Sequence, residues 1–244
     1  MKLNKMIKTK KEIEILKKSA KISDSCIPLI EKSLREKITE KELARRINKN
    51  IRSQGASLSF QTLVATGKRS FKIHPRPYSS KKIISGIGYA DFGACYRGYK
   101  SDITVPFIKG RIGKREKKIV ETALKAYEIA ISSIKIGHPC WKLFEKINNF
   151  AKKSKFELKH GLGHGIGLRI WEYPFITMPR KKKLNRKKKR RWEIVKKINF
   201  QPGMVFTIEP GIYAKDVGGC RIENDFLLTK KGLKVLTHSK LIRI

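Results

Sequence analysis

The sequence predicts an α+β fold made of two similar halves. Two helical patterns are followed by strand patterns in residues 9–108, and the same order returns in residues 113–243. No linker long enough to separate two domains interrupts this order. We therefore expect residues 1–244 to form a single domain, with pseudo-two-fold helix–helix–sheet halves and one basic loop inserted at about 180–197.

The first half begins with two helical patterns. Apolar residues at helical spacing predict a helix over about 9–34, which Pro28 should kink or interrupt. A capping box at Thr39 and Glu42 predicts the start of the next helix, and Gly55 predicts its end. Strand-like segments follow at about 59–66, 82–93 and 99–108, and the short string GACYRGYK joins the last two as the turn of a hairpin.

The second half repeats this order. Helical patterns lie at about 113–136 and 140–154, separated by Gly137 and Pro139, which interrupt helices. Four strand-like segments follow them, at about 163–170, 204–214, 219–229 and 233–243. We therefore expect the sheet of the second half to correspond to that of the first.

Length and composition indicate a folded protein with an unusual charge. The chain has 244 residues, 40% of them hydrophobic, and a formal net charge of +38. This charge would favour anionic partners such as nucleic acid, but compositional bias toward Lys is the commoner cause. No apolar run approaches the ~20 residues of a membrane helix, the N-terminus lacks the apolar core of a signal peptide, and the cysteines are scattered. We expect a cytoplasmic protein without a membrane partner.

The densest basic segment is Arg180–Arg191, in which ten of twelve residues are basic. Because like charges in such a block repel one another, we expect an exposed loop there. Two interpretations stay open: a surface that binds the phosphates of RNA or the ribosome, and a solvated insertion without a partner. The residues that would contact RNA are Arg180, Lys181, Lys182, Lys183, Arg186, Lys187, Lys188, Lys189, Arg190 and Arg191.

Two aspartates, Asp91 and Asp102, flank the connection between the last two strand patterns of the first half. If that connection is a hairpin turn, both carboxylates lie close together on neighbouring strands. Burying two carboxylates side by side costs free energy unless a cation neutralises them. Taken alone, however, ordinary positions at a strand end and in a turn explain the two residues better.

The second half carries a similar pair of acids. Glu209 and Glu223 lie in apolar, strand-like segments, where a glutamate is rarely buried without a partner, and Arg221 is placed to orient one of them. His164 lies in the glycine-rich string HGLGHGIG, where the backbone can approach a ligand closely, although a purely structural histidine is the alternative. His160 is interpreted as structural or as a support for the site. The symmetry between the halves favours a site for two divalent metal ions.

Five strings of the chain resemble the motifs of the pita-bread metallopeptidases, which include prolidases, Xaa-Pro aminopeptidases, methionine aminopeptidases and creatinase. They are HPRP, DFGACYRGYKSDIT, HGLGHGIGL, GMVFTIEPGIY and GGCRIEN, and their order and spacing agree over about residues 10–240. GLGHGIGL and TIEPGIY are more similar to the prolidase and Xaa-Pro branch than to the methionine branch. The resemblance implies a pita-bread catalytic domain with a curved antiparallel sheet.

The resemblance also implies the role of each site residue. Asp91 would bind one metal ion, Asp102 and Glu223 would bridge two, and His164 and Glu209 would complete the second. The ions would be Mn, Co, Fe or Zn. Glu209 would also act as general base toward a bridging water that hydrolyses the N-terminal bond of a peptide substrate. A further residue, His74 of the HPRP string, would contact the substrate and stabilise the tetrahedral intermediate.

Trp171 departs from the family pattern. Seven residues after His164, family members usually carry a second histidine, whereas the string here is RIWEYP. Trp can donate one hydrogen bond but cannot accept a proton. We therefore expect Trp171 either to fill the substrate site and change its specificity, or to reduce activity.

The architecture bears on specificity as well. The chain begins almost at the catalytic domain, as methionine aminopeptidases do, whereas prolidase relatives commonly carry a further N-terminal domain. This favours a monomer. The expected function is a two-metal aminopeptidase that acts on Xaa-Pro peptides. The alternatives are a methionine aminopeptidase acting on nascent chains, and a weakly catalytic RNA- or ribosome-binding protein on the same fold.

Overall fold

A computed structural model of the protein describes residues 6–178 and 186–244. Three helices open the first half: α1 (Lys10–Asp24), α2 (Cys26–Leu34) and α3 (Glu40–Ser53). The predicted interruption of the first helix is confirmed, and it falls at Ser25. Pro28 therefore lies in the first turn of α2, where a backbone N–H has no partner within the helix. Thr39 caps α3, because its hydroxyl accepts a hydrogen bond from the backbone N–H of Glu42 at 3.2 Å.

The strands of the first half pair differently from the predicted hairpin. They are β1 (Ser57–Leu58), β2 (Leu63–Thr66), β3 (Gly86–Phe92), β4 (Ala94–Tyr96), β5 (Tyr99–Lys100) and β6 (Ile103–Lys109). β3 pairs directly with β6, with Asp91 opposite Thr104. The string GACYRGYK is not a simple turn, because β4 and β5 form a separate small sheet with β1. After this segment, Asp102 lies next to the end of the β3–β6 ladder, where Phe92 pairs with Ile103.

The second half contains three helices and eight strands among the described residues. The helices are α4 (Lys114–Ser132), α5 (Cys140–Lys153) and α6 (Arg186–Lys196). The strands are β7 (Gly163–Gly165), β8 (Glu172–Ile176), β9 (Val205–Ile208), β10 (Gly211–Ala214), β11 (Gly218–Arg221), β12 (Asn224–Thr229), β13 (Gly232–Val235) and β14 (Ile242–Arg243). Each of the last three long strands of the prediction is thus divided in two.

The predicted basic loop is wrong for its second part, which forms α6. Residues Arg180–Lys183 of the prediction lie outside the described residues, as do the side chains of Lys187 and Lys188. Apolar side chains of α6 outweigh the repulsion between its charges. Val195 is buried, and the ring of Trp192 lies 5.8 Å from that of Trp141 in an edge-to-face contact.

Two sheets meet between the halves. The first has the order β14-β6-β3-β2 and the second the order β13-β12-β9-β7-β8, and all their pairings are antiparallel except β14 with β6. Side chains of α2 and α3 form one apolar core with the first sheet, and those of α4 and α5 form another with the second. The predicted α+β class is confirmed. No helix in the described part of the chain is long and apolar enough to cross a membrane.

Candidate metal centre

All the predicted site residues outside the basic segment line one cavity of about 780 Å³. This cavity lies where the two sheets meet, because an isolated bridge pairs Thr104 of β6 with Glu223 of the second half. The structure therefore brings together residues that are far apart in the sequence. They are His74, Asp91, Asp102, His160, His164, Trp171, Glu209, Arg221 and Glu223.

The two glutamates occupy a break in the antiparallel ladder of the second half. Ile208 pairs with Asn224 on one side of the break, and Gly211 pairs with Arg221 on the other. Glu209 and Glu223 therefore lie opposite each other in the register, as the sequence predicted for neighbouring strands. Ladder hydrogen bonds are interrupted here, so the carboxylates turn into the cavity that both residues line.

His164 lies on β7, where glycines allow strands to approach closely. Its backbone N–H donates to the hydroxyl of Thr207 at 3.2 Å, and its Nδ1 contacts the carbonyl of Gly165 at the same distance. A Cβ at Gly163 would lie 1.9 Å from the carbonyl oxygen of Thr207. The glycine-rich string thus fixes the imidazole of His164 with Nε2 toward the carboxylates.

Three side chains converge closely enough to share one cation. Asp102, His164 and Glu223 each offer one ligand atom, and these atoms all lie within 4.8 Å of one another. His164 Nε2 lies 3.7 Å from an oxygen of Asp102 and 3.6 Å from an oxygen of Glu209. Carboxylate oxygens with one imidazole nitrogen suit Mn²⁺, Fe²⁺, Co²⁺ or Zn²⁺. The donor set therefore fits a divalent metal ion.

Arg221 organises the first-half side of the centre. Its guanidinium is buried and donates to Asp91, and it also donates to the hydroxyls of Tyr213 at 2.9 Å and Thr104 at 3.1 Å. Thr104 in turn donates to Glu223 at 2.7 Å. The sequence predicted that Arg221 would orient a neighbouring glutamate. It contacts Asp91 directly instead and reaches Glu223 through Thr104.

His160 supports the centre through hydrogen bonds to its neighbours. The carbonyl of Gly161 can only accept, so Nδ1 of His160 donates to it at 2.8 Å, and Nε2 accepts from the hydroxyl of Tyr213 at 2.9 Å. The imidazole also lies 3.5 Å from Glu209. Tyr213 and Thr104 were not predicted as site residues, because a hydroxyl within a strand pattern does not by itself indicate a functional role.

Burial, together with repulsion between carboxylates, shifts the pKa values of four groups in the centre. Burial, with the charge of Glu223, raises the pKa of Asp102 and Glu209 well above the usual range of a carboxyl. Burial, with the charge of Asp91 as a further cause, raises the pKa of Glu223 to about 7. Burial also lowers the pKa of His164 to about 4. The raised pKa values show that ionising these carboxylates together is costly without a cation, and the neutral imidazole of His164 is the form that binds a metal ion.

His74 and Trp171 lie at the open rim of the cavity. Trp171 is 60% exposed, and the edge of its ring faces His164 with 6.3 Å between the ring centroids. His74 is exposed on the segment that follows the 3-10 helix Gly67–Phe71. Both residues therefore face the space that a substrate would enter.

Comparison with known proteins agrees with this geometry. The sequence profile of metallopeptidase family M24 matches residues 14–230. The chain is 33% identical over 240 residues to a Xaa-Pro dipeptidase of Pyrococcus horikoshii. This alignment covers 97% of this chain and 64% of the relative. The chain thus spans less than two thirds of this relative.

Solved structures show the same likeness. A Xaa-Pro dipeptidase from Bacillus anthracis superposes with a TM-score of 0.85 at 33% identity, over 98% of this chain and 64% of that one. An X-Pro aminopeptidase from Thermotoga maritima superposes with a TM-score of 0.84 at 30% identity, over 98% and 65%. The pita-bread fold expected from the motifs is confirmed. The chain belongs to metallopeptidase family M24.

Proposed function

We propose that the protein is a dinuclear-metal aminopeptidase that hydrolyses the N-terminal bond of Xaa-Pro peptides. The observation that carries this proposal is the convergence of Asp102, His164 and Glu223 within 4.8 Å at the base of a large cavity. Glu209 and Asp91 line the same cavity and bring the number of acidic groups to four. Against four carboxylates, one divalent ion and the buried guanidinium of Arg221 would leave a negative charge uncompensated, which supports a second ion.

The residues of the cavity would divide the work of hydrolysis. Asp91, Asp102, His164, Glu209 and Glu223 would hold the two ions, whose charge activates water and stabilises developing negative charge when they are bound. Glu209 lines the cavity with an oxygen 3.6 Å from Nε2 of His164, and it would act as the general base toward a water held there. His74 would contact the substrate from the rim and stabilise the tetrahedral intermediate.

Relatives and cavity walls support Xaa-Pro peptides as substrates. The similar proteins from P. horikoshii, B. anthracis and T. maritima are described as Xaa-Pro or X-Pro peptidases. The cavity walls above the acidic residues carry apolar side chains, which suit a proline ring. These are Phe60, Leu63, Ile170, Phe175, Met178 and Trp192. The apolar walls would also suit a methionine side chain, so the relatives are what favours Xaa-Pro peptides over the methionine aminopeptidase alternative.

The test is to measure bound metal and hydrolysis on one preparation. With Mn²⁺ or Co²⁺ we expect about two ions per chain and cleavage of Ala-Pro in preference to Met-Ala peptides. Glu223→Gln should lose metal and activity together, whereas Glu121→Gln, on the exposed face of α4, should change neither. Metal well below two ions with no cleavage of either peptide would exclude the enzyme. Preferred cleavage of Met-Ala would transfer the proposal to the methionine alternative.

A further inference from the structure

A second concave surface adjoins the metal cavity along helix α3. It is a groove of about 650 Å³ between α3 and the segment that contains Ser79 and Lys81. Gln61 lines both the groove and the metal cavity. Gln61 is therefore the residue at which the two concave surfaces adjoin.

The groove is lined by cations on both sides. Lys41, Arg45, Lys49 and Arg52 are exposed at spacings of four, four and three residues, so they lie along one face of α3. Lys81 faces them from the other wall. Like charges at a spacing of four residues destabilise an isolated helix, so this row of cations lowers the stability of α3.

Few carboxylates compensate these charges. Glu42 is the acidic residue among the described residues that line the groove, and Arg46 already binds it at 3.2 Å. Arg45 approaches the same carboxylate only to 3.9 Å, with its own side chain 77% exposed. The row therefore carries a net positive charge that the one carboxylate lining the described groove does not balance.

A buried carboxylate joins the two walls of the groove. Glu40, at the start of α3, is fully buried and accepts hydrogen bonds from the backbone N–H of Ser80 at 3.0 Å and from its hydroxyl at 2.6 Å. It also accepts from Thr66 at 2.9 Å and pairs with Arg69 at 2.9 Å. The backbone N–H of Lys41 donates to the carbonyl of Ser80 at 2.9 Å. The cations thus project from a pre-formed support.

We propose that this groove binds acidic residues that follow the cleaved bond of a peptide substrate. The inference rests on the aminopeptidase function proposed above. An aminopeptidase removes the first residue, so the rest of the substrate must leave the metal cavity in one direction. Gln61 marks where the groove continues the cavity, and extended peptide advances about 3.3 Å per residue along it. Carboxylates that follow the proline would then reach the cations of α3.

The experiment compares two substrates that differ only in downstream charge. At low ionic strength we expect kcat/KM for Ala-Pro-Glu-Glu-Glu to exceed that for Ala-Pro-Gln-Gln-Gln about tenfold, since three exposed ion pairs contribute modestly each. The preference should fall as salt rises. In the triple variant Lys41→Glu, Arg45→Glu and Lys49→Glu, the ratio should fall to one or below.

A matched control separates the groove from the overall charge of the protein. Lys11→Glu, Lys18→Glu and Lys21→Glu change the net charge equally on the exposed face of α1 and should keep the tenfold ratio. Equal loss in both triple variants would mean that the preference is non-specific and would overturn the inference. Equal rates for the two peptides in the unmodified protein would also overturn it while leaving the aminopeptidase intact. Cleavage of neither peptide would remove both proposals.

Nucleic acid is the other polyanion that a row of cations can bind. Binding of a single-stranded oligo-uridine is therefore measured on the same proteins. If the α3 triple variant loses oligo-uridine binding while the two peptides are cleaved at equal rates, the groove is a nucleic-acid site and the peptide assignment is wrong. If the α3 triple variant loses the preference for the acidic peptide and the unmodified protein does not bind oligo-uridine, the result supports the peptide assignment.

Discussion

Arg221 holds the first-half side of the metal centre together. It is 2% exposed, pairs with Asp91 and donates to two hydroxyls that belong to opposite halves of the chain. Its guanidinium also lies 4.5 Å from the centre of the Tyr89 ring. A buried cation with this many partners is a structural requirement of the site as well as a feature of its electrostatics.

Replacing Arg221 by Met should destabilise the metal-free protein. The substitution keeps much of the side-chain volume but leaves the Asp91 carboxylate buried without its cation. Loss of one partner of a buried pair typically costs about 3–5 kcal/mol of unfolding free energy. Urea unfolding in EDTA measures the change, and Arg35→Met, at an exposed surface position, provides the control. A loss no larger than that of the control would mean that Asp91 is neutralised in another way.

Trp171 is expected to limit turnover. It occupies the position at which the motif pattern has a histidine, and its exposed ring faces His164 across the cavity rim. Trp171→His should restore a group that exchanges protons, and kcat for Ala-Pro should rise toward the ~10²-fold that general acid–base assistance typically contributes. Steady-state kinetics with Trp171→Phe as control separates proton exchange from a change in bulk. An equal effect of both substitutions would assign Trp171 to substrate fit.

The acidic and histidine residues of the sequence motifs predicted which side chains line the metal cavity. Acids inside apolar strands, such as Glu209, are informative because burial of a lone carboxylate is costly. The hydroxyls of Thr104 and Tyr213 were missed, because their importance comes from contacts with Arg221 that form only when the halves meet. Hydrogen-bond partners of this kind cannot be read from spacing along the chain.

At the scale of elements, helices α1–α5 were predicted well, α6 was predicted as a loop, and the strands were predicted less well. The breaks between β9 and β10 and between β11 and β12 interrupt continuous apolar patterns, since Glu209 and Glu223 turn inward there. β8 was missed because Pro174 interrupts its pattern. β8 is an edge strand that pairs only with β7 among the described strands, so the missing N–H is tolerated.

Helix α6 allows a direct test of the RNA-binding hypothesis. Arg186, Lys189 and Arg190 are exposed on it, and each could neutralise one phosphate. Changing all three to Glu should weaken binding of single-stranded RNA and reduce the slope of log affinity against log salt by about 2, at ~0.7 per phosphate. Fluorescence anisotropy across a salt series measures this slope. The α1 triple variant is again the matched control, and an unchanged slope would leave α6 as a solvated basic surface.

At the scale of the whole molecule, the duplicated order of elements predicted the fold but not how its halves meet. The isolated bridge between Thr104 and Glu223 joins the two sheets through residues 119 positions apart. No local pattern encodes such a contact, because it depends on the packing of both halves. The carboxylates that this contact between the halves brings together are nevertheless those that the motifs indicated. Because these carboxylates lie close together, the stability of the metal-free protein should depend on pH.

The direction of that sensitivity follows from opposite pKa shifts. The pKa of Glu223 is about 7 in the folded state and about 4.3 in unfolded chains, so its contribution to stability is present at low pH and lost as pH rises through about 7. Asp102 and Glu209 shift in the same direction. His164 shifts oppositely: its pKa is about 4 when folded and about 6.5 when unfolded, so its contribution is lost as pH falls below about 6.5.

Between about pH 8 and pH 6.5, therefore, the carboxylates dominate, and the Tm of the metal-free protein should rise as pH falls. Bound divalent ions keep these carboxylates ionised and paired, so the metal-loaded protein should lack this rise and should be more stable at pH 8. Calorimetry in EDTA and in Mn²⁺ across this range measures both effects. Glu223→Gln removes one of the titrating groups and should flatten the metal-free curve. Identical pH dependence with and without metal would mean that the cation does not bind among these carboxylates.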